Sequence, residues 1–243
     1  MLVNLNLLRF LERYFSMAKY AISDIHGCSK SFQALLEKIN FSPKDELYLL
    51  GDYIDRGPDS KGVIDHVLSL KEDDYIIHCL KGNHEQMMID TMSGNDRHAD
   101  IWLRNGGEET LKSYFQLTKD IPDEHIHFLD SLPFYQETDD YYFVHAGFNF
   151  LNTNPLADQE NMLWMRNWYL KIDYAWLGQK MIVHGHTPIS RTAMEAQLEK
   201  VDQLRVINID GGCVFKDIRP QQGWLVALDL DQKALFFQRN IDF

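Results

Sequence analysis

Residues 18–27 read AKYAISDIHG, an apolar run that passes directly into an aspartate, a histidine and a glycine. The run 18–23 has the length and apolar content of a short buried β-strand. Behind it, Phe32, Leu35 and Ile39 recur at helical spacing and predict the apolar face of a helix. A strand that ends in polar, ligand-type side chains and is followed by a helix indicates an α/β sheet with a site at its edge.

The same pattern recurs along the chain, so that an apolar run ends and Asp, His or Asn follows at once. The later examples are GDYIDRG at 51–57, GNHE at 82–85, HAG at 145–147 and HGHT at 184–187. One such cluster is weak evidence for a functional site, because an aspartate after a strand is commonly a helix cap. Five in succession favour a shared site, since strand ends at one edge of a sheet lie close together. Asp, His and Asn together suit Mn, Fe or Zn, whereas an all-oxygen set would suggest Mg or Ca.

The remaining segments predict a single domain. Apolar runs at 47–50 and 75–80, separated by a helical pattern, complete a βαβαβ unit with parallel strands. Further strands are predicted at 141–144, 181–183 and 205–209, and a C-terminal β-hairpin is predicted to turn near Asp231 and Gln232. We therefore predict one domain over residues 17–243, with a helical insert at about 91–132 and an N-terminal extension over residues 1–16.

Composition narrows the class of protein. Lys and Arg number 24 against 36 Asp and Glu, and a net charge of -12 argues against nucleic-acid binding. Three cysteines without CxxC spacing fit a reducing compartment, so we expect a cytoplasmic protein. The sequence contains no apolar stretch long enough for a transmembrane helix, and we expect no membrane role. Residues 1–16 could form an amphipathic helix at a membrane, but an extension before the first strand is the simpler interpretation.

Between about residues 18 and 212 the chain carries, in this order, the motifs SDIHG, GDYIDRG, GNHE, HAG and GHTP. In this they resemble the phosphoprotein phosphatase family of calcineurin-like metallophosphoesterases, and especially its small bacterial and phage-type serine/threonine phosphatases. The resemblance implies an α/β (α+β) four-layer sandwich, in which two mixed β-sheets are flanked by helices and a dimetal site lies at the strand ends.

The resemblance also implies two divalent metal ions, with Mn expected before Fe or Zn. The implied ligands are Asp24 and His26 for the first ion, Asn83, His145 and His186 for the second, and Asp52 as the bridge. A hydroxide shared by the two ions would attack the phosphorus atom of a phosphate monoester.

Four further residues receive roles from the same resemblance. His84 would protonate the departing alkoxide, and Asp55 would orient its imidazole. Arg56 would bind the phosphate oxygens through its planar guanidinium. Arg166, in the stretch MLWMR, is the candidate for a second phosphate-binding arginine on a weaker match, and a surface arginine is the alternative.

The implied activity is hydrolysis of phosphoserine and phosphothreonine monoesters on proteins, although other phosphate esters would fit the same chemistry. The alternative is a symmetrical bis(5'-nucleosyl)-tetraphosphatase, which hydrolyses diadenosine tetraphosphate. That branch shares most of these motifs, but tends to carry Ala at the position of Asp55 and GNHD in place of GNHE. An inactive phosphopeptide-binding relative is disfavoured, because every matching position is intact.

Overall fold

Two β-sheets form the centre of the protein in the computed structural model, which describes residues 17–92, 94, 96–115 and 120–243. The strands are β1 (Lys19–Ile22), β2 (Glu46–Leu49), β3 (Ile76–Cys79), β4 (Tyr135–Glu137), β5 (Tyr141–Val144), β6 (Met181–His184), β7 (Val206–Asn208), β8 (Trp224–Asp229) and β9 (Ala234–Arg239). One sheet has the order β3-β2-β1-β8-β9 and the other has the order β4-β5-β6-β7.

Both sheets mix parallel and antiparallel pairing. The β1–β2–β3 strands run parallel, which confirms the predicted βαβαβ unit, and β5–β6–β7 are also parallel. The predicted C-terminal hairpin is confirmed as β8 and β9, and β8 pairs antiparallel with β1. Strand β4 was not predicted, because it has three residues, lies at a sheet edge and shows no alternation of buried and exposed positions.

Helices cover the outer faces of the sheets. They are α1 (Ser29–Lys38), α2 (Ser60–Glu72), α3 (Asn83–Met92), α4 (Asp96–Trp102), α5 (Glu108–Phe115), α6 (Asp123–Asp130), α7 (Gln159–Trp164), α8 (Tyr174–Leu177), α9 (Arg191–Leu198) and α10 (Val201–Leu204). A π-helical turn spans Leu103–Gly107, and 3-10 turns span Pro155–Ala157, Tyr169–Lys171 and Cys213–Phe215. The described part of the predicted insert, about 91–132, is helical and contains α4, α5 and α6.

Three apolar clusters separate the layers. Side chains of alternating strand positions, such as Tyr48 and Phe143, meet between the sheets, and their rings stack with centroids 4.1 Å apart. On the other face of the first sheet, Leu49 packs in a cluster with Phe32 of α1 and Val67 of α2. On the outer face of the second sheet a further cluster surrounds the buried Trp168. The order helices, sheet, sheet, helices is the predicted four-layer sandwich.

The remaining predictions concern the ends and the membrane. The predicted N-terminal extension, residues 1–16, lies outside the described residues. Among the helices that the structure describes, none is both long and apolar enough to cross a bilayer.

The C-terminus supplies the missing cap of α1. Cys28 at the N-cap position makes no side-chain cap. The Asp242 carboxylate instead accepts the backbone N–H groups of Lys30 and Ser31 at 2.9 and 3.0 Å. An acceptor at this position also lies favourably at the positive end of the helix dipole. The last residues of the chain therefore stabilise the helix that follows the first polar cluster.

We expect Asp242→Ala to lower the free energy of unfolding by about 1 kcal/mol, because two first-turn amides lose their acceptor. Urea denaturation followed by circular dichroism measures this. Asp139→Ala, at an exposed aspartate in the turn before β5, is the matched control and should leave the midpoint unchanged. Equal stability of the two variants would show that the Asp242 cap does not stabilise α1.

Candidate metal centre

Polar side chains from both sheets meet where the strands end. Asp24 and His26 follow β1, Asp52 follows β2, and Asn83 and His84 follow β3. His145 and His186 follow β5 and β6 of the second sheet, and all seven side chains are buried. The five clusters of the sequence therefore converge at one edge of the sandwich, as their positions after strands predicted.

The first group of potential ligand atoms contains Asp52, Asn83, His145 and His186. His145 Nε2 lies 2.9 Å from Asn83 Oδ1, 3.2 Å from His186 Nδ1 and 3.4 Å from Asp52 Oδ2. Asn83 Oδ1 and His186 Nδ1 are 2.9 Å apart. One nitrogen from each imidazole and two side-chain oxygens thus point into one small space.

A hydrogen bond on the far side of the His145 ring sets which of its nitrogens faces this space. His145 Nδ1 donates to the carbonyl of Leu50 at 2.8 Å, so its Nε2 presents a lone pair to the other three atoms. Burial lowers the pKa of His145 and lowers that of His186 to about 2, so both rings remain neutral. Neutral imidazoles, a carboxylate and an amide oxygen are the donor set of a transition-metal ion. The residues present therefore fit a divalent cation.

A second group shares Asp52. His26 Nδ1 donates to the carbonyl of Ile54 at 2.9 Å, which leaves the Nε2 lone pair 3.5 Å from Asp52 Oδ2. His84 Nε2 lies 3.9 Å from the same oxygen. Asp52 is therefore common to both groups, and its position fits a carboxylate between two cations.

Asp24 stands at the edge of this second group. Its carboxylate accepts the backbone N–H of His186 at 3.0 Å and the hydroxyl of Ser23. The bond from His186 ties the loop after β1 to the loop after β6, which belongs to the other sheet. The group of potential ligands around His26 contains Asp52 and His84, and Asp24 lies beside it through its contact with His186.

The Asp55–His84 pair is the shortest ionisable contact at the site. His84 Nδ1 lies 2.6 Å from Asp55 Oδ2. Trp102 Nε1 donates to both oxygens of Asp55 at 3.0 and 2.9 Å, and Thr110 Oγ1 donates to Oδ1 at 2.6 Å. Burial raises the pKa of Asp55 to about 7, and these hydrogen bonds from Thr110 and Trp102 oppose the shift. The imidazole is thereby held with Nε2 directed towards Asp52.

Sequence reasoning missed Trp102 and Thr110. Both belong to the helical segment that was predicted as an insert at about 91–132. The only signal was the Asn-Gly-Gly stretch at 105–107: a side chain at Gly106 would collide with Arg56, and one at Gly107 would collide with Trp102. These glycines allow α4 and α5 to approach the loop after β2 closely enough to bond Asp55.

The sequence profile of the calcineurin-like phosphoesterases matches residues 18–211, the region that carries every side chain of this site. The chain belongs to that family. Its relatives include serine/threonine-protein phosphatase 1 of Salmonella typhimurium, which is 29% identical over 206 residues that span 81% of this chain and 87% of that protein.

Other relatives of this phosphoesterase match over a shorter region. The symmetrical bis(5'-nucleosyl)-tetraphosphatase of Buchnera aphidicola subsp. Acyrthosiphon pisum (strain Tuc7) is 44% identical over 79 residues, which is 32% of this chain. That match spans only 28% of the length of the tetraphosphatase. A solved serine/threonine phosphatase structure from Saccharomyces cerevisiae, with similarity to human phosphatase PP5, superimposes with a TM-score of 0.63 at 16% identity. The superposition covers 93% of this chain and 80% of the yeast chain, and shows that the two share a fold.

Two arginines of the phosphoesterase lie near the ligand atoms. Arg56 Nη1 donates to His26 Nε2 at 2.8 Å, and its positive charge contributes to lowering the pKa of His26 and of His84, after burial. Arg166 is exposed, and its charge contributes to the lowered pKa of His145 and His186. It lines a cavity of about 370 Å³ together with Trp168 and Thr187. Arg56 therefore contacts a potential ligand directly, whereas Arg166 acts on the group through its charge.

Left-handed backbone conformations are concentrated in the site. The non-glycine residues concerned are Asp24 (φ 53°), His26 (φ 47°), Asp52 (φ 55°), Asp55 (φ 72°), Arg56 (φ 68°) and His186 (φ 69°). Such conformations cost about 1–3 kcal/mol each at sites where the surroundings impose them. Here the loops impose them on each other, because the amides of His26 and Gly27 donate to the carbonyls of Asp52 and Tyr53 at 2.8 and 2.7 Å.

Glu85 holds two of the loops together. Its fully buried carboxylate accepts the backbone N–H groups of Asp52 and Gly82, both at 2.8 Å, and that of Tyr53 at 2.9 Å. A glutamate in GNHE therefore fixes the loop after β2 against the loop after β3. A buried acceptor that serves several donors cannot be replaced without leaving some of them unpaired.

We expect Glu85→Gln to lower the free energy of unfolding by about 1–3 kcal/mol, because the amide nitrogen of glutamine would face backbone N–H groups. Urea denaturation in EDTA measures this apart from any effect on metal binding. Glu124→Gln, at an exposed position in α6, serves as the control. Wild-type stability of Glu85→Gln in EDTA would contradict this account of the carboxylate.

Proposed function

We propose that this metallophosphoesterase is a phosphoprotein phosphatase that hydrolyses phosphoserine and phosphothreonine monoesters. The Asp55–His84 pair, at 2.6 Å and bonded further by Trp102 and Thr110, is the observation that carries the proposal. A positioned acid matters most for a poor leaving group, and the alkoxides of serine and threonine are poor leaving groups. The relative whose match spans most of both proteins is also named a serine/threonine-protein phosphatase.

The proposed metal ligands are those of the two groups of donor atoms. Asp24, His26 and Asp52 would hold one ion, and Asn83, His145 and His186 would hold the other together with Asp52. We expect Mn²⁺, with Fe or Zn as alternatives, because the mixed nitrogen and oxygen set suits all three. When bound, such a pair of cations supplies an activated water at neutral pH and withdraws charge from the phosphoryl oxygens.

The chain's own residues would then handle the substrate and the proton. Arg56 and Arg166 would bind non-bridging phosphate oxygens, for which a planar guanidinium is well shaped. His84 would give its Nε2 proton to the leaving oxygen, while Asp55 holds Nδ1. Burial and the charge of Arg56 lower the pKa of His84, so the carboxylate of Asp55 at 2.6 Å would be what favours the imidazolium form that carries this proton.

The second candidate function is cleavage of diadenosine tetraphosphate. The tetraphosphatase relatives favour it, because that of Buchnera aphidicola subsp. Acyrthosiphon pisum (strain Tuc7) is 44% identical over the matched 79 residues. Asp55 and Glu85 argue for the phosphatase, since the tetraphosphatase branch tends to carry Ala and Asp at these two positions. In this structure Asp55 holds His84, and the longer side chain of Glu85 reaches four backbone amides. A cytoplasmic location remains our expectation for either activity.

We predict that His84→Asn lowers kcat towards a phosphoserine peptide by about 10²–10⁴-fold, because the leaving alkoxide departs without a proton. The kcat towards p-nitrophenyl phosphate should fall much less, since p-nitrophenolate is stable without protonation. Steady-state kinetics on both substrates measure the difference. His125→Asn is the matched control. His125 is also buried, and its Nε2 lies 3.3 Å from a carboxylate oxygen of Asp65, but this pair is not part of the site. An equal loss on both substrates would contradict the role of His84 as the acid.

The proposed substrate class is tested by comparing kcat/KM, with Mn²⁺ added, for phosphoserine and phosphothreonine peptides and for diadenosine tetraphosphate. We expect the peptides to be turned over at least about tenfold more efficiently, since the positioned acid serves alkoxide departure. Faster cleavage of the dinucleotide would overturn the phosphatase proposal and establish the second candidate.

A further inference from the structure

Asp210 is a buried carboxylate that no step above uses. It lies two residues beyond β7, in the stretch Asn208-Ile209-Asp210-Gly211-Gly212, and its side chain is 1% exposed. The stretch repeats the arrangement of the five polar clusters, in which a strand passes into Asp or His beside glycine. Sequence reasoning passed over it, because a single aspartate after a strand carries little information.

The backbone fixes Asp210 beside the metal centre. Ile209 donates its N–H to the carbonyl of His184 at 2.8 Å, and Ile189 donates to the carbonyl of Asp210 at 3.0 Å. Asp210 therefore lies on the strand that neighbours the His184–Ile189 segment, which carries His186. The N–H of His186 in turn donates to Asp24 at 3.0 Å. Asp24 and Asp210 thus contact the same short segment, and Asp24 contributes to raising the pKa of Asp210.

One oxygen of Asp210 has a partner and the other has none. Oδ1 accepts the N–H of Gly212 at 2.8 Å. Oδ2 is buried and accepts no hydrogen bond from the described residues. A buried carboxylate oxygen without a donor is costly, and a cation or a water bound to a cation is the partner that relieves that cost. Arg56 and Arg219 are the positive groups that act on Asp210, yet neither donates to Oδ2.

We propose that Asp210 is an additional carboxylate of the metal centre, and that its Oδ2 atom serves the cation of the Asp24, His26 and Asp52 site as an acceptor for a water in that ion's coordination shell. The inference rests on the proposed metal centre, but not on the identity of the substrate. Outer partners of this kind commonly change metal affinity by about 10–100-fold when they are removed. Asp210 would also bring a side chain from the end of β7 into the centre, in addition to those from β5 and β6.

Metal titrations of the apoprotein with Mn²⁺ alone, by isothermal calorimetry, test the inference without any substrate. We expect the wild type to bind two ions, and Asp210→Asn to bind one of them about 10–100-fold more weakly. Asparagine keeps an oxygen for Gly212, but loses the negative charge. Asp210→Ser is a second variant, which also retains an acceptor, so the result stands if one of the two variants does not fold.

Two further variants separate the outcomes. Asp229→Asn is the matched control, because Asp229 is also 1% exposed and accepts backbone amides, but pairs with Tyr20 at the opposite end of β1. It should bind both ions as the wild type does. Asp52→Asn should weaken both ions if the proposed centre is correct. Wild-type affinity in every folded Asp210 variant, with Asp52→Asn impaired, would overturn the role of Asp210 alone. Failure of the wild type to bind two ions would overturn the metal centre and, with it, this inference.

Discussion

The buried carboxylate of Glu85 is the contact on which the geometry of the site depends. It accepts amides from the loop after β2 and from the loop after β3, so that each loop fixes the position of the other. The first of these loops carries Asp52, which faces both groups of ligand atoms, and Asp55, which holds His84. The second carries Asn83 and His84. A shift of this one side chain would therefore move the potential ligand atoms and the Asp55–His84 pair at the same time.

The positions of the ligand-type side chains could be predicted because they depend on local order in the sequence. Each follows an apolar strand directly, and parallel strands bring their ends to one edge. The pairing of β1 with β8 and the short edge strand β4 could not be predicted, because they depend on contacts between distant segments. The same is true of Asp210, whose significance appears only once the neighbouring segment after β6 is known.

The helical segment between β3 and β4 is more closely involved in the site than the sequence indicated. The sequence predicted only a helical insert at about 91–132. Trp102 and Thr110 reach inward and bond Asp55, while Gly106 accepts the N–H of Arg56 through its carbonyl at 3.2 Å. Sequence patterns did not reveal this, since a tryptophan on a helix face ordinarily belongs to an apolar core. The segment is part of the support for the Asp55–His84 pair.

The left-handed residues of the site have a consequence for how this sequence can change over generations. Each one keeps a side chain in a backbone conformation that glycine would adopt at little cost. At His26 and His186, the proposed role in metal binding would be what retains a side chain against this conformational cost. A descendant released from that role would accumulate glycine and asparagine at these positions first. Glycine-rich versions of these loops would thus mark lineages in which the fold survived and the chemistry did not.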